Sequence, residues 1–295
     1  MEQHTFYIVD VFAEKKYEGN QLAVVLGAKT LSSTEMQKIT REMNYSETTF
    51  IVSDGLQKAG YDVRIFTPKE EIPFAGHPTL GTAYIIAREI VKEQNKEIEL
   101  NLKVGKIPVE LKYKDKELEV LWMKQKPPTF GQIFDIERMA QILNLDKSDI
   151  DEKFPIQEVS TGLPTVITPL KTLDALKRAR VSKEEYFDLI KDIGSSTALL
   201  FCPETYNSEN DLCVRVFADC YDIPEDPATG SANGCLAGYL TKHRYFGKNN
   251  INIRVEQGYE INRPSLLFLR TEINNEIISV FVGGKVILVA KGQLL

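Results

Sequence analysis

VRIFTPKEEIPF at residues 63–74 and VRVFADCYDIPE at residues 214–225 are one motif written twice. Val63, Arg64, Phe66, Ile72 and Pro73 recur at the same spacing as Val214, Arg215, Phe217, Ile223 and Pro224. Each copy runs into a turn and a small-residue helical pattern, GHPTLGTA at 76–83 and PATGSANG at 227–234. The likeness extends upstream, where SETTFIV at 46–52 matches SSTALLF at 195–201, and GNQLAVV at 19–25 sits against GLPTVIT at 162–168. The offset is 143 residues at the glycines, 149 at the serines and 151 at the arginines, so order is kept with small insertions. This is the mark of an internal duplication, and a chain that folds one motif twice tends to hold its substrate where the copies face each other.

Apolar–polar alternation predicts short strands at 5–12, 49–53, 61–67, 107–113, 117–123, 212–218, 265–271 and 276–282. Helical signals are fewer. Ser32 with Glu35 reads as a capping box ahead of Met36, Ile39 and Met43. Ser182 with Glu185 opens a second helix that Gly194 would end. A third begins at His77 with Pro78 in its first position and carries Leu80, Ala83, Tyr84, Ala87, Ile90 and Val91. A fourth follows Thr229 with Ala232, Cys235, Leu236, Tyr239 and Leu240. The last two are small and apolar on several faces, as helices wrapped by sheet would be. The polar stretch KQKPPT at 124–129 is the natural linker between halves.

At 295 residues, two domains of ordinary size fit the length, and 43% apolar with 26% charged residues is a globular composition. A net charge of −6 disfavours nucleic acid as a partner. No apolar run reaches membrane-spanning length, and the opening MEQHTFYIVDVFAEKK reads as a first strand rather than a signal peptide, so a cytoplasmic location is expected. Cys202, Cys213, Cys220 and Cys235 form no CxxC pair, and His4, His77 and His243 are scattered, so no metal site is expected. TGSANG and GGKVILVAKG match neither phosphate-loop nor dinucleotide fingerprints, which speaks against a nucleotide cofactor. Ser231 lacks the GxSxG setting of a hydrolase nucleophile.

The chemistry is expected at the two helix starts. A helix N-terminus presents unpaired N–H groups and partial positive charge, and the small residues of Ala75-Gly76-His77 and Asp226-Pro227-Ala228-Thr229-Gly230-Ser231 permit close backbone approach to a carboxylate. Positions that differ between the copies are not required by the shared fold. Glu47 aligns with Ser196, His77 lies at one helix start, and Asp226 lies just before the other. A carboxylate just ahead of an apolar strand can be drawn from water and tuned for proton transfer.

GNQLAVV, SETTF, IPFAGHPTLGTA and EDPATGSANG in that order, with the closing GGKVILVAKGQL, resemble the phenazine-biosynthesis (PhzF-like) isomerase family over essentially the whole chain. The resemblance implies an α+β fold like diaminopimelate epimerase. Two pseudo-symmetric domains each wrap a curved, mostly antiparallel sheet around a central helix, with the site between them. It implies residues 1–125 plus 284–295 as one half and 126–283 as the other, no metal, no cofactor, and a homodimer. By resemblance Glu47 is the general acid/base, and Asn20, Gly76, His77, Asp226, Gly230 and Ser231 bind a small carboxylate-bearing metabolite. One departure is Gln21, where the family usually has proline after the asparagine. Epimerases of this fold use one thiol from each half, but residues 1–125 contain no cysteine, which leaves single-carboxylate chemistry. The alternatives are a racemase pairing Glu47 with Asp226, and a binding protein that kept the cleft without the reaction.

Overall fold

The computed structural model describes residues 3–53, 60–191, 197–218 and 223–295. Two compact units form, Met1–Met123 with Gly283–Leu295, and Lys124–Val282. In chain order the elements are β1 (His4–Val11), β2 (Asn20–Val25), α1 (Ser33–Met43), β3 (Thr48–Ile51), β4 (Tyr61–Phe66), β5 (Glu71–Ile72), α2 (Gly76–Ile85), β6 (Glu97–Leu102), β7 (Gly105–Lys114) and β8 (Glu117–Lys124). There follow β9 (Thr129–Phe134), α3 (Ile136–Leu143), β10 (Ile156–Ser160), β11 (Pro164–Pro169), α4 (Leu173–Arg178), α5 (Lys183–Ile190), β12 (Thr197–Cys202), β13 (Leu212–Ala218) and β14 (Ile223–Asp226). The chain closes with α6 (Gly230–Lys242), β15 (Asn252–Gln257), β16 (Ser265–Asn274), β17 (Ile277–Gly284) and β18 (Val286–Leu294). Among the described residues no helix is long and apolar enough to cross a membrane.

The duplication is written into the pairing. In the first unit the strands run β18-β1-β2-β3-β4-β6-β7-β8, with β5 folded back on β4. In the second they run β9-β10-β11-β12-β13-β15-β16, with β14 folded back on β13. Each joint has the same sense as its counterpart. Parallel pairing falls at β2–β3 and β4–β6 in one unit, and at β11–β12 and β13–β15 in the other. The other pairings in these two strand orders are antiparallel, so each unit is a curved, mostly antiparallel sheet around a central helix.

The repeated V-R-x-F stretch is β4 in one unit and β13 in the other, and its residues recur for packing reasons. Val63 and Val214 are buried. Arg64 reaches across to Glu71 at 2.7 Å and lies over the Phe66 ring. Arg215 does the same with Glu225 at 2.7 Å and with the Phe217 ring. The second copy is the more deeply set. Arg215 is 4% exposed and also donates to the carbonyls of Leu176 and Ala179 at 2.9 Å each, which satisfies a guanidinium taken out of water.

α2 and α6 are the central helices. Every residue of α2 from His77 to Ile85 is buried, and in α6 all of Gly230–Thr241 except Ser231 is buried. Such helices are apolar on all faces because sheet lies around them. Gly81 is required by this closeness, since a Cβ there would stand 2.6 Å from Leu22 and 3.0 Å from Val11. α2 starts at Gly76, which puts Pro78 third rather than first. A proline is tolerated there because the first turn's N–H groups have no partner within the helix. After Ile85 the backbone widens into a π-helical stretch, Ile86–Val91, closed by Lys92 in the left-handed region.

The capping box at Ser32 forms, with Glu35 N donating to Ser32 Oγ and Ser32 N donating to Glu35 Oε2 at 2.8 Å. The one expected at Ser182 does not. The Ser182 N–H that Glu185 would have to accept from donates instead to the Ile142 carbonyl at 2.7 Å, and α5 starts without a side-chain cap. The expected stop at Gly194 and the Ser195–Ser196 pair lie outside the described residues. α3, α4 and α5 cover the outer face of the second sheet, packing Met139, Ile142, Leu143 and Leu176 against Leu200 and Phe217. In the first unit α1 packs Met36 against Phe50 and Phe66.

Candidate active site

Glu47 is the residue immediately before β3, and β3 runs parallel beside β2 from the pairing of Thr48 with Ala23. Asn20 and Gln21 head β2, and the Gln21 backbone hydrogen-bonds the His77 ring at the start of α2. A hydrogen bond of 2.8 Å between Thr49 and Thr82 ties β3 to that helix. In this setting Glu47 Oε2 stands 3.4 Å from His77 Nε2, with side-chain exposures of 14% and 8%. Asn20 is buried, and Gly76 opens the helix.

This contact is not an ion pair at neutral pH. Burial pushes the His77 ring down to about 3, only partly opposed by a hydrogen bond to the Gln21 backbone that favours the protonated ring. Favouring that form means the backbone group is an acceptor, the Gln21 carbonyl. Nε2 has no hydrogen-bond partner among the described residues, so the bond to Gln21 belongs to Nδ1–H. The neutral ring therefore turns its Nε2 lone pair toward Glu47, an arrangement that can accept a proton shared from the acid form of that carboxyl.

In the second unit β14 ends at Asp226, and the Asp226–Thr229 turn leads into α6. Gly230 is buried in the first position and Ser231, partly exposed, is in the second. Asp226 is mostly buried. Thr229 Oγ1 donates to Asp226 Oδ2 at 2.5 Å. Gln257, fully buried at the end of β15, donates to the Asp226 carbonyl at 2.8 Å and to Thr229 Oγ1 at 3.0 Å, and accepts from Thr229 N and Asn233 Nδ2. Thr229 and Asn233 lie within the EDPATGSANG motif, which assigns them no role, and Gln257 lies outside every motif; the signal for it is the polar pair Glu256-Gln257 at the buried end of β15. Neither α2 nor α6 has a side-chain cap at its N-terminus.

The three described cysteines are poor nucleophiles. Burial pushes Cys202 up to about 12, Cys213 further still, and Cys235 upward as well. Cys220 lies outside the described residues. Among the described residues no group of three or more His, Cys, Asp or Glu gathers to hold a metal ion. Clefts of about 500 Å³ beside Phe246 and Arg270 and of about 460 Å³ beside Gln37 and Phe66 contain none of the candidate residues.

The duplicated sheet-and-helix architecture is the fold class shared by PhzF-family proteins and a proline racemase-like protein. Within that class the chain belongs to the PhzC-PhzF family of phenazine biosynthesis-like proteins, whose family model matches residues 9–292, and it is an isomerase. It is 33% identical over 291 residues to the trans-2,3-dihydro-3-hydroxyanthranilate isomerase of Pseudomonas aeruginosa, a match covering 98% of this chain and 99% of the relative. It is 31% identical over 300 residues to an uncharacterized isomerase of Clostridium acetobutylicum, covering 100% and 99%. The crystal structure of a PhzF-family phenazine biosynthesis protein from Bacillus anthracis superposes with a TM-score of 0.90 at 28% identity, over 100% of both chains.

Proposed function

We propose that this isomerase moves a proton between two atoms of a small carboxylate-bearing metabolite, with Glu47 as its single acid and base. The observation that carries the reading is the 3.4 Å approach of Glu47 Oε2 to the neutral His77 ring. Glu47 as carboxylate takes a proton from a carbon activated by an adjacent conjugated group. In its acid form it shares that proton with the Nε2 lone pair of His77, which keeps the carboxyl oriented until the proton is returned elsewhere. The uncapped start of α2, with Asn20 and Gly76, offers backbone and short side-chain donors to a substrate carboxylate, and Gly230 and Ser231 at the uncapped start of α6 are substrate-binding donors of the same kind. Asp226 orients and polarises the substrate. With three described thiols buried and raised, no Cys–Cys pair enters this scheme.

The experiment is incubation of the wild-type protein and Glu47→Gln with trans-2,3-dihydro-3-hydroxyanthranilate and a panel of small unsaturated carboxylic acids, read by NMR. At least one acid should shift a double bond with wild type and not with the variant. Conversion by the variant at the wild-type rate would remove Glu47 from the mechanism. A product inverted at one carbon, with no shifted double bond, would make the reaction an epimerisation.

A further inference from the structure

In the second unit a hydrogen-bond chain around Asp226 has only one self-consistent direction. A backbone N–H can only donate, so the Gln257 oxygen faces Thr229 N at 3.1 Å. A backbone carbonyl can only accept, so the Gln257 nitrogen faces the Asp226 carbonyl at 2.8 Å. The amide of Gln257 is therefore locked in one orientation by two groups that cannot reverse. Asn233 reinforces it, giving one amide bond to Gln257 Oε1 at 2.9 Å and one to the Thr229 carbonyl at 3.0 Å. The same Gln257 nitrogen points at Thr229 Oγ1, which must then act as acceptor and send its own proton onward to Asp226 Oδ2.

A second observation comes from the next residue. Gly258 has φ +80, and a Cβ on it would stand 2.6 Å from the Pro227 carbonyl oxygen and 2.3 Å from that of Arg263. The backbone after β15 thus presses directly on the turn that carries Asp226, which only glycine allows. The pairing that brings these parts together is the parallel contact of β13 with β15, Val214 opposite Gln257.

We propose that Gln257 and Gly258 form a positioning clamp for Asp226: Gly258 seats the Asp226–Thr229 turn, and Gln257 orients Thr229 so that its hydroxyl donates to the Asp226 carboxylate and holds it in one rotamer toward the substrate. The inference rests on Asp226 being a substrate contact. Gln257 and Thr229 act through it rather than on the reacting atoms.

Gln257→Glu keeps the shape and replaces the donating nitrogen by oxygen. The introduced carboxyl, when ionised, faces the Asp226 carbonyl with no proton to offer; when protonated it regains one donor. With an acid that wild type turns over, kcat should fall roughly 10²-fold near pH 8, in line with the cost of misplaced reacting groups. The deficit relative to wild type should shrink as pH falls. Thr229→Val should lose kcat and Thr229→Ser should retain most of it. Wild-type kcat and KM at every pH in folded Gln257→Glu and Thr229→Val, with Glu47→Gln inactive, would overturn the clamp and leave the proposed function standing. An independent readout needs neither turnover nor variants. The side-chain amide protons of Gln257 in the wild-type protein should resist exchange in D2O as strongly as core backbone amides do, and rapid exchange there would overturn the clamp on its own.

Discussion

The chain begins a buried helix twice, at Gly76 and at Gly230, and furnishes the two starts with different side chains. Both follow a strand that carries arginine and phenylalanine two residues apart, and both enter without a side-chain cap. At the first, a neutral imidazole leans on a carboxyl from the residue just ahead of β3. At the second, a glutamine donates to a threonine, which donates in turn to an aspartate. What recurs is what packing requires; what differs is what chemistry requires. The Arg–acid pairs show the same division in energetic terms, since the pair in the first unit is partly solvated and the pair in the second is closed off.

That contrast can be broken in several ways. Arg215→Met should cost about 3–5 kcal/mol of stability, because it strands Glu225 and two carbonyls in a dry setting. Urea denaturation of the variant against wild type measures this. Asp226→Asn should lower kcat/KM by roughly 10²-fold with little change in melting temperature, since the amide keeps the shape and loses the charge.

His77 gives a pH signature. The unfolded chain binds the ring proton below about 6.5 and the folded chain only below about 3, so unfolding takes up a proton between those values. Stability should therefore fall by about 1.4 kcal/mol per pH unit as pH drops through that window, with no contribution from this ring above it. Thermal melts of wild type and His77→Gln at matched pH should differ in slope there and converge near neutrality. The smallest effect is expected at Arg64→Met, at or below about 1 kcal/mol, because its ion pair with Glu71 is partly in water. Equal losses at Arg64 and Arg215 would erase the distinction between the two copies.

Much of the fold was legible because the duplicated motif is local: three identities at fixed spacing mark β4 and β13, two more fall at or just past β5 and in β14, and the small-residue patterns behind them mark α2 and α6. Glu47 and Asp226 stood out as positions where the copies disagree. The remainder depends on tertiary contacts that spacing does not carry. Gln257 meets Asp226 only because β15 pairs in parallel with β13, across 31 positions of chain. The cap at Ser182 fails because the Ile142 carbonyl, 40 positions earlier, takes its N–H. Pro78 sits two places deeper than expected because the helix begins with Gly76, a boundary set by backbone geometry that a proline in the first turn leaves open.

The most direct test of the account is solvent deuterium uptake into a turned-over substrate by wild type and by Glu47→Gln, both verified as folded by circular dichroism. A loss of exchange of roughly 10²–10⁴-fold in the variant is the predicted result. Exchange at the wild-type rate without the Glu47 carboxylate would contradict it.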